Sequence, residues 1–327
     1  MPTNVPPQYK EAEARYRSAS TPEEKVAALE EMLRLVPKHK GTEKLQADLK
    51  ARLSKFRREP EHRAGARAAG HLVSREGAGQ IALVGPPNGG KSSLVDRLTH
   101  ASPKIGDYPY TTREPVPGMM PYQDVAIQLV DLPPVGEEHV EPWVFDLVRR
   151  ADMVWVVVEA AASLDGFERT RDLLEAKHIG LLPPGESPPE DAPPVVLWKR
   201  TRVVLTGGDR RGAAADRDAF AELLGPRWVP ILVSARDGTG LDDLAAATYR
   251  DLGVIRIYTK HPGKPPDTER PFTVPRGSTV RDLATVIHKE LAEGFRFARV
   301  WGASVFDGQR VQGDHLLEEG DIVEIHI

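Results

Sequence analysis

No cysteine occurs anywhere in the 327 residues. Disulfides, thiolate metal sites and a cysteine nucleophile are thereby excluded, as befits a reducing compartment. Aromatic residues are few, at 6%, beside 40% hydrophobic and 28% charged residues, an ordinary balance for a globular protein. No apolar run approaches the ~18 residues of a membrane span. The first ten residues, MPTNVPPQYK, lack the charged-then-apolar order of a signal peptide. A soluble, cytoplasmic chain with no membrane partner is the expectation. Neither sign of charge dominates: 44 Lys and Arg face 48 Asp and Glu, a net charge of −4. At this length two or three domains are expected. The 29 prolines concentrate in connections, notably around Leu182–Pro189.

Against these absences stands one dense motif, Gly85-Pro86-Pro87-Asn88-Gly89-Gly90-Lys91-Ser92. It fits G-x-x-x-x-G-K-[ST], follows the apolar run Ile81–Val84 and precedes a helical pattern opening at Ser93. Strand, loop and helix in that order make a phosphate-binding P-loop. The glycines let backbone N–H groups turn toward an anion, and the helix aims its positive end at the same place. Lys91 supplies charge for the β- and γ-phosphates, and Ser92 a hydroxyl ligand for Mg²⁺.

The chain around the motif falls into three stretches. Residues 1–75 read as helical, with one helix starting at Thr21-Pro22 and carrying Val26, Leu29, Met32, Leu33 and Val36 at helical spacing. A second is expected over 42–58, with Leu45, Leu49, Leu53 and Phe56 as its stripe. From Lys50 to Arg67 the chain turns basic; a solvated face and a phosphate-backbone contact both explain that run. Residues 76–252 alternate candidate strands (80–84, 116–122, 124–130, 152–158, 202–206, 229–233) with candidate helices (91–100, 142–150, 165–177, 215–224, 240–251). This predicts an α/β domain, a mostly parallel sheet with helices on both faces. Residues 253–327 read as a small sheet (255–258, 272–274, 299–301, 321–327) on one helix from Thr279 to about Gly294, with Thr279 and Asp282 at capping-box spacing.

Further candidates fall just past strands, where ligands of such sheets bind. Tyr108-Pro-Tyr-Thr-Thr112 places Thr112 twenty positions after Ser92, in reach of Mg²⁺ when a γ-phosphate is present. Asp131 ends a strand and is expected to hold Mg²⁺ through its shell. Thr206-Gly-Gly-Asp209 ends another. Asp209 could accept the N1 and N2 protons of guanine, a donor pair that adenine lacks. Ser234-Ala235 could complete the base pocket through backbone N–H groups.

The set GPPNGGKS, YPYTT, QLVDLP and a late SA resembles the Obg family of GTPases. Ile255–Lys260, Ile287–Lys289, Ala298–Gly302 and Gly313–His315 resemble the TGS domain of its developmentally regulated GTP-binding (DRG) branch, and His39–Lys44 is similar to that branch too. The resemblance implies a P-loop GTPase domain joined to a β-grasp, ubiquitin-like TGS domain, GTP and GDP as ligands, and a role at ribosomes or RNA. Two departures stand out. The family's D-x-P-G reads Asp131-Leu-Pro-Pro134, and proline has no N–H for the γ-phosphate. Its N-K-x-D reads Thr206-Gly207-Gly208-Asp209, without the lysine whose stem covers the guanine. No glutamine stands where some GTPases orient the attacking water. Nucleotide binding is therefore expected with slow hydrolysis, Lys91 and Thr112 being its catalytic residues. Asn88 stands where some GTPases use asparagine as a K⁺ ligand, and a plain turn asparagine is the alternative. A nucleotide-dependent scaffold without turnover and an ATP-preferring relative are the competing readings.

Overall fold

The computed structural model describes residues 73–99, 114–135 and 140–327, with 22–36 and positions 8, 9, 15 and 49 of the preceding segment. The chain divides into two compact units, Met1–Leu72 and Val73–Ile327. In the first, helix α1 (Pro22–Leu35) buries Leu29 and Met32, which cluster with Val36, Tyr9 and Leu49. Of the stripe read from the sequence, Leu29, Met32 and Val36 are buried and Leu33 packs partly buried against them. Apart from Leu49, the second expected helix and the basic run lie outside the described residues.

The second unit is built on a seven-stranded sheet. Its strands are β1 (Gln80–Val84), β2 (Val116–Tyr122), β3 (Val125–Asp131), β4 (Met153–Glu159), β5 (Ile179–Leu182), β6 (Leu197–Thr206) and β7 (Ile231–Leu232), in the order β2-β3-β1-β4-β6-β5 with β7 also beside β6. Every pairing is parallel except the β2–β3 hairpin. The centre is continuous apolar sequence, as a sheet covered on both faces requires. Period-two alternation sorts it. Ala82 and Val84 enter one core with helices α3 (Pro142–Arg150), α4 (Ser163–Glu175) and α5 (Ala213–Leu224). Ile81 and Leu83 enter the other with α2 (Lys91–Thr99) and α6 (Leu241–Leu252).

The expected strands and helices of this sheet recur within a few residues, with one omission. β6 begins at Leu197 rather than near 202, and its first four residues pair with β5, which the sequence reading did not foresee. Leu197-Trp-Lys-Arg200 is partly exposed and mixed in polarity. Gly180 in β5 exists to admit a neighbour: a Cβ there would lie 2.5 Å from the Trp198 ring. Neither segment carries a strand-like pattern of its own.

The smaller sheet has the order β11-β10-β12-β8-β9, from β8 (Val254–Thr259), β9 (Asp267–Pro275), β10 (Phe297–Trp301), β11 (Gln309–Val311) and β12 (Ile322–His326). The last strand of the chain runs down the middle, parallel to β8 and antiparallel to β10, as in a β-grasp. The capping box at Thr279 and Asp282 is formed at the head of α7 (Val280–Ile287). The helix does not run on to Gly294 as expected. His288 adopts extended backbone, and its Nδ1 accepts from the Glu290 N–H to restart a short α8 (Lys289–Glu293). β11, three residues long, also went unforeseen.

The two sheets are joined at the tip of the β2–β3 hairpin. Arg256 of β8 reaches Asp124 Oδ1 at 2.6 Å and Glu319 Oε1 at 2.6 Å. The Tyr258 hydroxyl donates to the other oxygen of Asp124. Tyr249 of α6 stacks on Tyr122 at 5.0 Å and lies under the Arg256 guanidinium.

Candidate nucleotide site

The P-loop leaves β1 at Gly85, whose φ of +149 and closeness to β4 admit no side chain: a Cβ would lie 2.1 Å from the Val157 carbonyl. Asn88 takes a left-handed φ of 59, which asparagine tolerates better than most residues. Lys91, at the first position of α2, is 6% exposed and donates to the carbonyls of Gly85 and Pro86 at 2.9 Å each. Burial lowers its pKa to about 8, with the Asp131 charge opposing that shift.

Asp131 closes β3 directly across from the loop. Its Oδ2 accepts from the Ser92 hydroxyl at 2.5 Å, while its buried Oδ1 has no hydrogen-bond partner among the described residues. Burial pushes this carboxyl up, with Ser92 and Lys91 opposing. A buried carboxylate without a donor on one oxygen, its other oxygen bonded to the P-loop serine, fits a divalent cation held directly or through its water shell. Thr112, the third expected ligand, lies outside the described residues.

After Asp131 the chain is anchored, not loose. Leu132 and Val135 are 1% and 0% exposed and belong to the core beneath the sheet. The Val135 N–H donates to the Gly85 carbonyl at 2.9 Å. Pro134 has no N–H, and the next one along is committed to the P-loop.

The other motifs meet at a cavity of about 690 Å³ beside the loop, lined among others by Asn88, Ser93, Thr206, Asp209 and Ala235. Thr206, the last residue of β6, donates its hydroxyl to the Gly89 carbonyl at 2.9 Å and so ties the base motif to the P-loop. Asp209 follows on a turn held by the Gly208 N–H bond to Val233. The Ser234 hydroxyl donates to Asp209 Oδ1 at 3.1 Å and also accepts from the N–H groups of Arg236 and Asp237. That arrangement orients the carboxylate, with Oδ2 3.6 Å from Arg236 Nη1. Every expected site residue among the described ones therefore lies along one edge of the sheet. Glu159 at the end of β4, with Asp96 and Arg97 on α2, also lines the cavity and was missed. Glu159 carried a signal, since it ends a strand as Asp131 and Thr206 do.

Residues 80–182 match the family described as 50S ribosome-binding GTPase, and residues 255–327 match the TGS domain. The chain is 31% identical to a GTP-binding protein of Methanocaldococcus jannaschii, with 93% of each chain covered. It is 28% identical to the developmentally-regulated GTP-binding protein 1 of Xenopus laevis, over 92% of this chain and 98% of that one. The solved YchF GTPase of Schizosaccharomyces pombe shares the fold, with a TM-score of 0.51 at 13% identity over 77% of this chain and 99% of that one. Among the described residues no helix is long and apolar enough to cross a membrane. Identity sustained along almost the whole archaeal relative, with a GTPase match followed by a TGS match, establishes that the chain belongs to the DRG-like family of GTP-binding proteins.

Proposed function

We propose that this chain is a Mg²⁺-dependent GTP switch with slow intrinsic turnover, acting at ribosomes or on RNA. The meeting of Lys91, Ser92 and Asp131 beside a cavity that ends at Asp209 and Ser234 carries the nucleotide half. Residues Gly85 to Lys91 cradle the phosphates, with Ser93 at the start of the helix behind them. Ser92, Asp131 and Thr112 hold the cation, and Asp209 reads the base with Ala235 beside it. Bound Mg²⁺ supplies positive charge against the β- and γ-phosphates. Slow turnover follows from the missing water-orienting glutamine and from Pro134. The proposed divisions are 1–75, 76–252 and 253–327, the middle one being the GTPase domain.

The base assignment is tested by Asp209→Asn. In the unmutated protein GDP should bind more tightly than ADP, and the substitution should shrink that gap at least about tenfold, because two charge-assisted hydrogen bonds to guanine are weakened. Equal GDP and ADP affinities before mutation would refute the guanine reading. Turnover measured on the same preparation in K⁺ and in Na⁺ decides whether Asn88 holds a monovalent ion; identical rates remove it.

The RNA half draws on the open face of the smaller sheet. Phe297 and Trp301 of β10 alternate with the core residues Ala298 and Val300 and so stand on the face away from α7. Lys260 lies over Trp301 at 4.3 Å and Arg310 over Phe297 at 4.0 Å, while Phe297 stacks on His326 at 4.3 Å. Cations among aromatic rings on a sheet suit stacked single-stranded bases. Titration with short single-stranded RNA at rising salt tests this. Binding that persists undiminished in Trp301→Ala would remove the face from consideration.

The bond from Val135 to Gly85 favours a second reading, a scaffold that binds nucleotide without switching well. Pro134→Gly separates the two. A restored N–H is expected to raise the preference for a non-hydrolysable GTP analogue over GDP by about tenfold, the worth of one hydrogen bond to a charged group. An unchanged ratio would show that the proline does not limit switching.

A further inference from the structure

The base motif has no lysine, yet the space that residue 207 would fill is occupied. Gly207 lines the cavity with φ of +81. A Cβ added to it would lie 2.8 Å from Arg210 Nε and 3.6 Å from Arg210 Cδ and Cζ. The Arg210 N–H donates to the Gly207 carbonyl at 3.0 Å, closing the turn that folds the side chain back over the glycine. Arg210 Nη1 lies 3.0 Å from Glu159 Oε1, and Nη2 lies 4.0 Å from Asp216 Oδ2. Glu159 is itself a wall residue of the cavity. The guanidinium is therefore held against Glu159 and Gly207, two wall residues of the cavity, one residue beyond Asp209.

We infer that Arg210 stands in for the missing lysine, covering one face of the guanine ring while Asp209 reads its edge. This rests on the guanine-nucleotide reading above. A planar guanidinium on a short methylene stem stacks on aromatic rings at least as well as an ammonium does. Glu159 orients it by a charged pair whose partners are both partly exposed, so the group can settle onto a ring that enters. Gly207 is the other half of the exchange: a side chain there would push the Arg210 guanidinium aside and sit at a φ of +81 that side chains rarely adopt. Arg236, a wall residue with its side chain 86% exposed, lies 3.6 Å from the same Asp209. The ring would enter between two arginines and meet the carboxylate at its edge. Guanine carries its hydrogen-bond donors there, and the flanking cations favour the electron-rich ring faces without regard to that edge. Selectivity thus stays with Asp209, and Arg210 contributes affinity.

The test uses the full chain, with fluorescent GDP as ligand and inorganic pyrophosphate as competitor, and the thermal midpoint of the nucleotide-free protein beside them. Arg210→Ala is expected to weaken GDP about tenfold, Arg210→Lys by less than about threefold, and Glu159→Gln by an intermediate amount. Pyrophosphate competition and the nucleotide-free midpoint should not move. Unchanged GDP affinity in Arg210→Ala would overturn the inference. So would a parallel loss of pyrophosphate binding or a fallen midpoint, which would make the arginine a structural support. A wild-type protein that does not prefer GDP over ADP would instead strike the guanine reading itself, a different result from the same titrations.

Discussion

Lys91→Ala is expected to remove nucleotide binding while leaving the chain folded. On the proposed reading the ammonium meets the β- and γ-phosphates, and its charged hydrogen bonds to them are worth about 3–5 kcal/mol together, roughly a hundredfold to a few thousandfold in affinity. Its partners in the nucleotide-free protein are two backbone carbonyls, Gly85 and Pro86. The fold does not depend on it, because burial already works against its charge. Its pKa is lowered to about 8, below the ordinary 10.5. Between those values the unfolded chain holds the proton more tightly, so the nucleotide-free protein gains stability as pH rises through that window. Phosphate binding has the opposite sign. An anion beside Lys91 raises its pKa, so affinity should be greatest below pH 8 and decline above it. Calorimetric titration of GDP from pH 7 to 9, in wild type and variant, reads the affinity, and thermal scans of the nucleotide-free protein above pH 8 read the stability. Nucleotide binding of undiminished strength in the variant would show that the loop is not a phosphate site.

Arg256→Ala should bring a large loss of stability. The side chain is 18% exposed and bridges Asp124 of the β2–β3 hairpin to Glu319 of the smaller sheet, at 2.6 Å from each. Removing it leaves two carboxylates facing each other without their cation. Breaking a fully buried pair costs about 3–5 kcal/mol; partial exposure here reduces that to about 2–3 kcal/mol. Burial tends to raise the Asp124 carboxyl, but the hydrogen bonds from Tyr258 and Arg256 outweigh it and hold the group below its ordinary 3.8. A depressed carboxylate contributes stability that is complete above pH 3.8 and lost as pH falls through its folded value. The variant should therefore unfold at a lower temperature at neutral pH, and its midpoint should fall less steeply than the wild type's below pH 4. Thermal scans at pH 3, 4 and 7 check this. Coincident midpoints at pH 7 would show that the contact between the sheets adds nothing. The same hairpin carries β3 toward Asp131, so a variant that also alters GDP affinity would reveal coupling between this joint and the cation site.

Much of this was written in local pattern. The P-loop needs its glycines and Lys-Ser at fixed spacing, because backbone N–H groups must converge on an anion. Asp131 and Asp209 were findable because a carboxylate just past an apolar strand falls on the edge where such sheets bind ligands. Helix limits in the sheet domain were legible from 3.6-residue periodicity, and the start of α7 from its capping box. Where pattern was weak, tertiary packing took over. The β5–β6 pairing depends on Gly180 yielding to Trp198 across the strands, a contact with no periodicity to announce it.

Taken alone, the sequence determined which groups the strand ends offer: a P-loop, the Ser92 hydroxyl beside the Asp131 carboxylate, and the Asp209 carboxylate. It also marked Pro134 and Gly207 as gaps. Only the tertiary structure decided what stands in those gaps. Val135 turns its N–H to Gly85, and Arg210 folds back over Gly207 toward Glu159, fifty-one positions earlier in the chain. Neither could be read from spacing, because both depend on which chain segments the sheet order brings side by side. A motif lists the groups a strand end offers, while the neighbouring strand decides which of them remain free for a ligand.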